Sequence, residues 1–254
     1  MSVINDNGPV NGRREDENVG NVSSNPPANL WVTMDQHNPF DALAEKYDAW
    51  YDTKGKAAFE IELAALRPLL PGLPKPWLEV GVGAGRFAQA LGIPLGIDPS
   101  VALLAKARAR GVEVLYGEGE ETPFRTASFG TVFLLTTWAF LADPLKVLVE
   151  CHRILGPDGR LVNGYLDREG KWAASYVEKG KAGHPLFSRA RFGTYAEVES
   201  VTREAGFHVL QVVSTLFQGP GEALALEEPK PGYLPGASFV VVVAGKGRPE
   251  SPGP

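Results

Sequence analysis

The sequence predicts an α/β domain: a mostly parallel sheet with helices on both of its faces. Three observations carry that prediction. Short apolar, β-rich runs alternate with stretches of helical periodicity from Trp77 onward. The first run opens directly into a turn with glycine at every second position, Gly81, Gly83 and Gly85. The second run ends in an acid, Asp98, followed by Pro99 and Ser100, which starts the next helix.

Taken in order, residues 40–51 and 57–70 carry helical periodicity ahead of the sheet. Residues 77–80 form the first strand and 85–91 the helix behind it. The second strand covers 95–97, Ser100 caps a helix over 101–110, and the third strand covers 113–116. A fourth strand over 131–135 leads to a helix over 144–155 with proline at its start. The turn Leu155-Gly156-Pro157-Asp158-Gly159-Arg160 feeds a fifth strand over 160–165. An irregular insertion over 167–191 comes next, then a helix over 194–205 and strands over 208–217 and 238–244. The last two strands are joined by a Pro- and Gly-rich connection without a helix, so they pair antiparallel.

Composition bounds the rest. A chain of 254 residues with 44% hydrophobic and 22% charged residues holds one sizeable domain, expected over 37–246. Residues 1–36 and 247–254 lack apolar patterning and are expected to be disordered tails. A net charge of -5 argues against a nucleic-acid partner, because phosphate binding needs a basic surface. No apolar run is long enough to span a membrane, and the single cysteine, Cys151, excludes an internal disulfide. The expected setting is cytoplasmic.

The glycine turn is the main functional signal. Glycine permits a tight backbone with room for a ligand against the main chain. Glu79 sits just before it, and Asp98 lies about twenty positions on, where a carboxylate accepts hydrogen bonds from a ribose diol. On residues alone the turn remains either a structural corner or a nucleotide site. A dinucleotide would bring a pyrophosphate to the helix N-terminus. The acid at Glu79 suits a cation better.

The pattern E-x-G-x-G-x-G from Glu79 to Gly85, followed by Ile97-Asp98, resembles the class I S-adenosylmethionine (SAM)-dependent methyltransferases. Gly117-Glu118-Gly119-Glu120-Glu121-Thr122-Pro123-Phe124 is similar to that family's adenine-holding segment, with Glu118 at the acid and Gly119 at the small position. Residues 40–51 resemble its N-terminal lid helix, with Tyr47 the candidate for touching the cofactor. The resemblance runs from Phe40 to Lys246 and is closest to the ubiquinone/menaquinone-biosynthesis type. It implies a Rossmann-like seven-stranded sheet with the last strand antiparallel. It also implies S-adenosyl-L-methionine held by Tyr47, Glu79, Gly81, Gly83, Gly85, Asp98, Glu118, Gly119 and Thr136, with a small-molecule methyl acceptor.

Departures from the family pattern fall after the fourth strand. Thr136, Thr137 and Trp138 stand where many relatives carry histidines, and Gly130-Thr131 stands where an acid is common. Trp138 reads equally as a sulfonium-facing aromatic or as packing. His152 and Cys151 read as structural, and His184, in the insertion, as a solvated residue or a base. No metal-ligand spacing is present. Methyl transfer needs positioning and exclusion of water more than a dedicated base, so no catalytic residue is assigned. Two other readings stand beside the small-molecule enzyme: a non-catalytic SAM-binding sensor or partner protein, and a protein or RNA methyltransferase.

Overall fold

Period-two burial along the strands builds the core. In the fourth strand, Phe133 and Leu135 point to one face of the sheet, while Val132 and Leu134 point to the other, and all four are buried. A sheet with two apolar faces needs helices on both sides. The computed structural model describes residues 38–222 and 224–246, and the expected tails over 1–36 and 247–254 lie outside them.

The strands are β1 (Trp77–Val80), β2 (Leu95–Asp98), β3 (Glu113–Tyr116), β4 (Phe129–Leu135), β5 (Leu155–Leu166), β6 (Phe207–Thr215), β7 (Lys230–Pro231) and β8 (Phe239–Lys246). They form one sheet in the order β3-β2-β1-β4-β5-β8-β6-β7. The β1–β2, β2–β3, β1–β4 and β4–β5 pairs are parallel, and β8 runs antiparallel between β5 and β6. The strand order reverses at β1, where β2 lies on one side and β4 on the other. That switch point is where an open α/β sheet leaves a crevice at its strand ends.

The helices are α1 (Pro39–Trp50), α2 (Lys56–Leu66), α3 (Arg86–Leu91), α4 (Val101–Ala109), α5 (Pro144–Ile154), α6 (Lys171–Lys181) and α7 (Tyr195–Glu204). Apolar residues of α2, α3 and α6 join one core cluster, and those of α5 and α7 join the other. Sequence signals set several of their ends. Ser100 Oγ accepts from Leu103 N, Asp143 caps α5, and Thr194 with Glu197 forms a full capping box on α7.

Four elements differ from the sequence expectation. The helix expected over 57–70 stops at Leu66 and continues as 3-10 turns over Arg67–Gly72, because Pro68 and Pro71 lack the N–H a helix needs. β5 includes the expected turn over 155–160: Leu155 pairs with Phe129, the register then shifts, and Arg160 pairs with Thr131. The insertion over 167–191, expected to be irregular, contains α6. Its only N-cap is Gly170, with no side-chain cap, and Gly180 interrupts its last turn, so the usual boundary signals are missing. The sheet gains an eighth, two-residue strand, β7, which pairs with Val213 and Ser214 from inside the Pro- and Gly-rich connection.

Candidate active site

The glycine turn closes the C-terminal end of β1 against β2. Gly81 N and Val82 N both donate to Ile97 O, at 2.8 and 3.1 Å. Gly81 and Gly83 take left-handed backbone, with φ of 76° and 51°. A Cβ on Gly81 would overlap the Thr137 side chain, whereas one on Gly83 would meet only Leu103 Cδ1 at 3.8 Å. Gly81 is therefore required by the protein's own packing, while Gly83 borders open space. Gly85 faces neither cavity described below; a Cβ there would lie 2.8 Å from Ala107 Cβ, so it lets α3 approach α4.

Asp98 is oriented by two backbone donors: Gly83 N to Oδ2 and Ser100 N to Oδ1, both at 2.8 Å. Burial raises its carboxyl to about 6, and those two hydrogen bonds only partly offset the effect. Each oxygen retains acceptor capacity toward a cavity of about 260 Å3 that Asp98 lines with Gly81, Gly83, Glu118, Gly119 and Thr136. Glu79, 1% exposed, lies behind the glycine turn beside Tyr47 and Tyr51. Its Oε2 has no partner among the described residues, and burial together with Asp98 pushes its carboxyl well above the usual range. An orphaned buried carboxyl oxygen costs stability unless a ligand donor meets it.

Thr136 carries the strained backbone of the site. Its φ is 55°, an outlier for a β-branched residue, and its N–H is tied to Gly164 O at 2.7 Å. The neighbouring Thr137 hydroxyl bonds to the carbonyls of Leu135 and Gly81, at 3.1 and 3.2 Å. Together they hold the end of β4 across the glycine turn.

A second cavity, of about 370 Å3, adjoins the first. Tyr47, Thr136 and Phe140 line both and form the shared wall. Trp50, Tyr51, Trp172, Tyr176 and Phe187 make the walls of the second cavity largely aromatic, and Glu62 of α2 is set among them. Trp138 lines neither cavity; it is 5% exposed and lies beside Tyr165, so packing is its role. His184 stands at the second cavity on Phe187, with ring centroids 4.5 Å apart. Cys151 is buried in α5 and His152 rests edge-on against Phe207, away from both cavities.

Helix α1 roofs the junction and is fastened at both ends. Asp41 Oδ1 accepts from Ser100 Oγ at 2.6 Å and Ala102 N at 3.0 Å. Asp48 accepts from Arg86 Nε at 2.6 Å and from Arg110 Nη2 at 2.8 and 2.9 Å. Burial opposes the Asp48 charge, but the two guanidinium groups outweigh it and hold the carboxyl below its ordinary value. Asp52 pairs with Arg86 as well. Sequence reasoning missed this clamp and missed Glu62, because neither has a local motif: their partners lie on other elements. Arg86 directly follows the glycine turn, a position that could have drawn attention.

Among the described residues, no group of three or more His, Cys, Asp or Glu converges as a metal site, and no helix is long and apolar enough to cross a membrane.

Comparison with known proteins adds to this geometry. A family model described as a methyltransferase domain matches residues 78–163. An uncharacterized protein of Mycobacterium tuberculosis is 41% identical over 221 residues, covering 85% of this chain and 78% of that protein. A demethylmenaquinone methyltransferase of Thermotoga maritima is 30% identical over 138 residues, covering 48% of this chain and 58% of that protein. A crystal structure from Thermotoga maritima, described as a SAM-dependent methyltransferase and possible histamine N-methyltransferase, is 37% identical with a TM-score of 0.75. It aligns over 82% of this chain and 98% of its own.

Proposed function

The chain belongs to the SAM-dependent methyltransferases, and on that premise we propose that it moves the methyl group of SAM to a small-molecule acceptor. The observation that carries this reading is the pair of cavities meeting at Tyr47, Thr136 and Phe140 beneath α1. One is edged by carboxylates and a bare glycine turn, and the other is walled by aromatic rings.

The residues present fit the cofactor. Asp98 would accept from the ribose hydroxyls. The orphaned Glu79 carboxyl, which lines a small cavity behind the glycine turn, would be the acceptor for the ammonium of the amino acid tail. Gly83 leaves room for ligand against the backbone, and Glu118 and Gly119 would border the adenine. Gly81 and Gly85 shape the turn, through contact with Thr137 and Ala107. When bound, SAM supplies an electrophilic methyl on a sulfonium. Tyr47, Thr136 and Phe140 then set the aperture between the cavities, and α1 keeps water out.

An aromatic chamber roofed by a helix supports a small acceptor over a protein or RNA surface, and the net charge of -5 agrees. The single buried cysteine supports a reducing, cytoplasmic setting, and the catalytic unit is taken as residues 37–246. Titration calorimetry with SAM tests the site. Asp98→Ala should weaken binding tenfold or more, about 1.4 kcal/mol, and unchanged affinity would overturn the assignment. Transfer of labelled methyl to small acceptors tests the activity; SAM binding with no turnover across a broad panel would favour a sensor.

A further inference from the structure

Glu62 is a titratable group in the acceptor cavity with no role so far. It is 4% exposed on α2, among Trp50, Tyr51, Trp172 and Tyr176. Burial pushes its carboxyl up to about 8, and no hydrogen bond or neighbouring cation from a described residue offsets that burial. A leucine would fill this wall at less cost, since a buried carboxyl without a partner is destabilising. Glu62 lines the cavity, so a ligand that donates to it there favours its ionised form.

The surroundings narrow the donor's chemistry. Aromatic faces and a carboxylate together favour a cation at the Glu62 wall. The exposed Lys46, Lys54 and Lys179 stand around the same cavity and disfavour a polycation. These features select one amine on an apolar body, entering amine first.

We propose that the methyl acceptor is a primary or secondary amine on an aromatic-sized apolar body, and that Glu62 takes the proton this amine must shed before attack. This rests on the second cavity being the acceptor chamber. The ammonium gives its proton to the Glu62 carboxylate, and the freed nitrogen lone pair forms the N–C bond to the methyl carbon. The C–S bond breaks with its electron pair going to sulfur, leaving a neutral thioether. The product is the protonated N-methyl amine, and Glu62 returns its proton to solvent.

No other group on the cavity serves as well. The phenols of Tyr47, Tyr51 and Tyr176 are pushed upward by burial, with the Glu62 charge adding to it, and stay un-ionised. His184 is held below its ordinary value by burial and by Lys46 and Lys179, and its Nδ1 already accepts from Leu186 N at 3.3 Å.

The test offers the full-length protein labelled SAM with benzylamine and 2-phenylethylamine, beside phenol, thiophenol and benzoate. SAM affinity is measured in parallel by calorimetry. The amines should be methylated preferentially. Glu62→Gln should cut kcat/KM for them by at least about 100-fold while leaving SAM affinity and the circular dichroism spectrum unchanged. Glu62→Asp should recover part of the loss. The wild-type rate should rise with pH through about 8, and Glu62→Gln should lose that limb. Preference for phenol, thiol or carboxylate, no transfer to either amine, or full amine activity in Glu62→Gln would each overturn the proposal. Should Glu62→Gln fail to fold, the wild-type preference among the five acceptors still decides. Failure of the wild type to bind SAM would instead remove the cofactor assignment on which the proposal stands.

Discussion

Replacing Asp48 with alanine should release α1 from the rest of the domain. The Asp48 carboxylate accepts three charge-assisted hydrogen bonds, from Arg86 Nε and twice from Arg110 Nη2, over 2.6–2.9 Å. The two arginine side chains are 16% and 17% exposed, so the substitution strands two largely buried cations. Breaking a buried pair costs about 3–5 kcal/mol. Here the cost is smaller, because Arg86 keeps Asp52 and the Asp48 carbonyl, and Arg110 keeps Ala84 O. Alanine also favours helix and removes an acid from the last turn of α1, worth about 0.5–1 kcal/mol in return. The expected net loss is therefore about 2 kcal/mol. Because Phe40 and Tyr47 of α1 line the same cavity as Asp98, SAM affinity should fall by up to about thirtyfold, the factor this energy sets.

Urea unfolding, amide hydrogen exchange across residues 39–50 and calorimetry together read the outcome. Protection should drop in α1 before it drops in the sheet. The carboxyl titrates below its ordinary value of 3.8 in the folded state. Its contribution is therefore present above that pH and lost as pH falls through the lower folded value, so wild type and variant should converge in acid. A loss below about 0.5 kcal/mol with α1 protection intact is what a solvated surface pair gives, and it would refute the clamp.

Three further outcomes follow from the same geometry. Asp98 titrates at about 6 when folded, so SAM affinity should weaken as pH falls through that value; an affinity flat from about pH 5 to 8 would count against it. Gly81→Ala should cost about 2 kcal/mol or more through its clash with Thr137 and its positive φ. Gly83→Ala should cost only about 1 kcal/mol in melting experiments yet abolish SAM binding, and similar behaviour of the two variants would contradict the division of roles. Glu62 binds its proton more tightly when folded, about 8 against 4.5, so the wild type loses stability as pH rises between those values. Glu62→Gln should therefore be the more stable protein at pH 7, by up to about 3 kcal/mol; equal melting temperatures there would show that Glu62 is not buried as described.

Much of the fold was readable along the chain because its signals are local. Trp77–Val80 and Glu113–Tyr116 are apolar runs bounded by turn residues, and Ser100, Pro144 and Thr194 mark helix starts with their own side chains or rings. The glycine turn and Asp98 were visible for the same reason, since a tight corner and a strand-end acid are written in adjacent residues. Helix α6 was missed because Gly170 supplies no side-chain cap. The eighth strand was missed because two residues cannot show a period.

The glycine turn, the acids before and after it and the alternation of strands and helices follow from sequence alone, because backbone freedom and hydrophobic period are properties of neighbouring residues. Which glycine serves packing and which borders open space depends on Thr137 and Leu103, which come from β4's exit loop and from α4. The Asp48 clamp joins groups 38 and 62 residues apart, and Glu62 lines the aromatic cavity only because α1 and α6 bring Trp50, Trp172 and Tyr176 to it. Contacts across such separations carry no periodic trace in the chain; folding alone brings these charges and rings together.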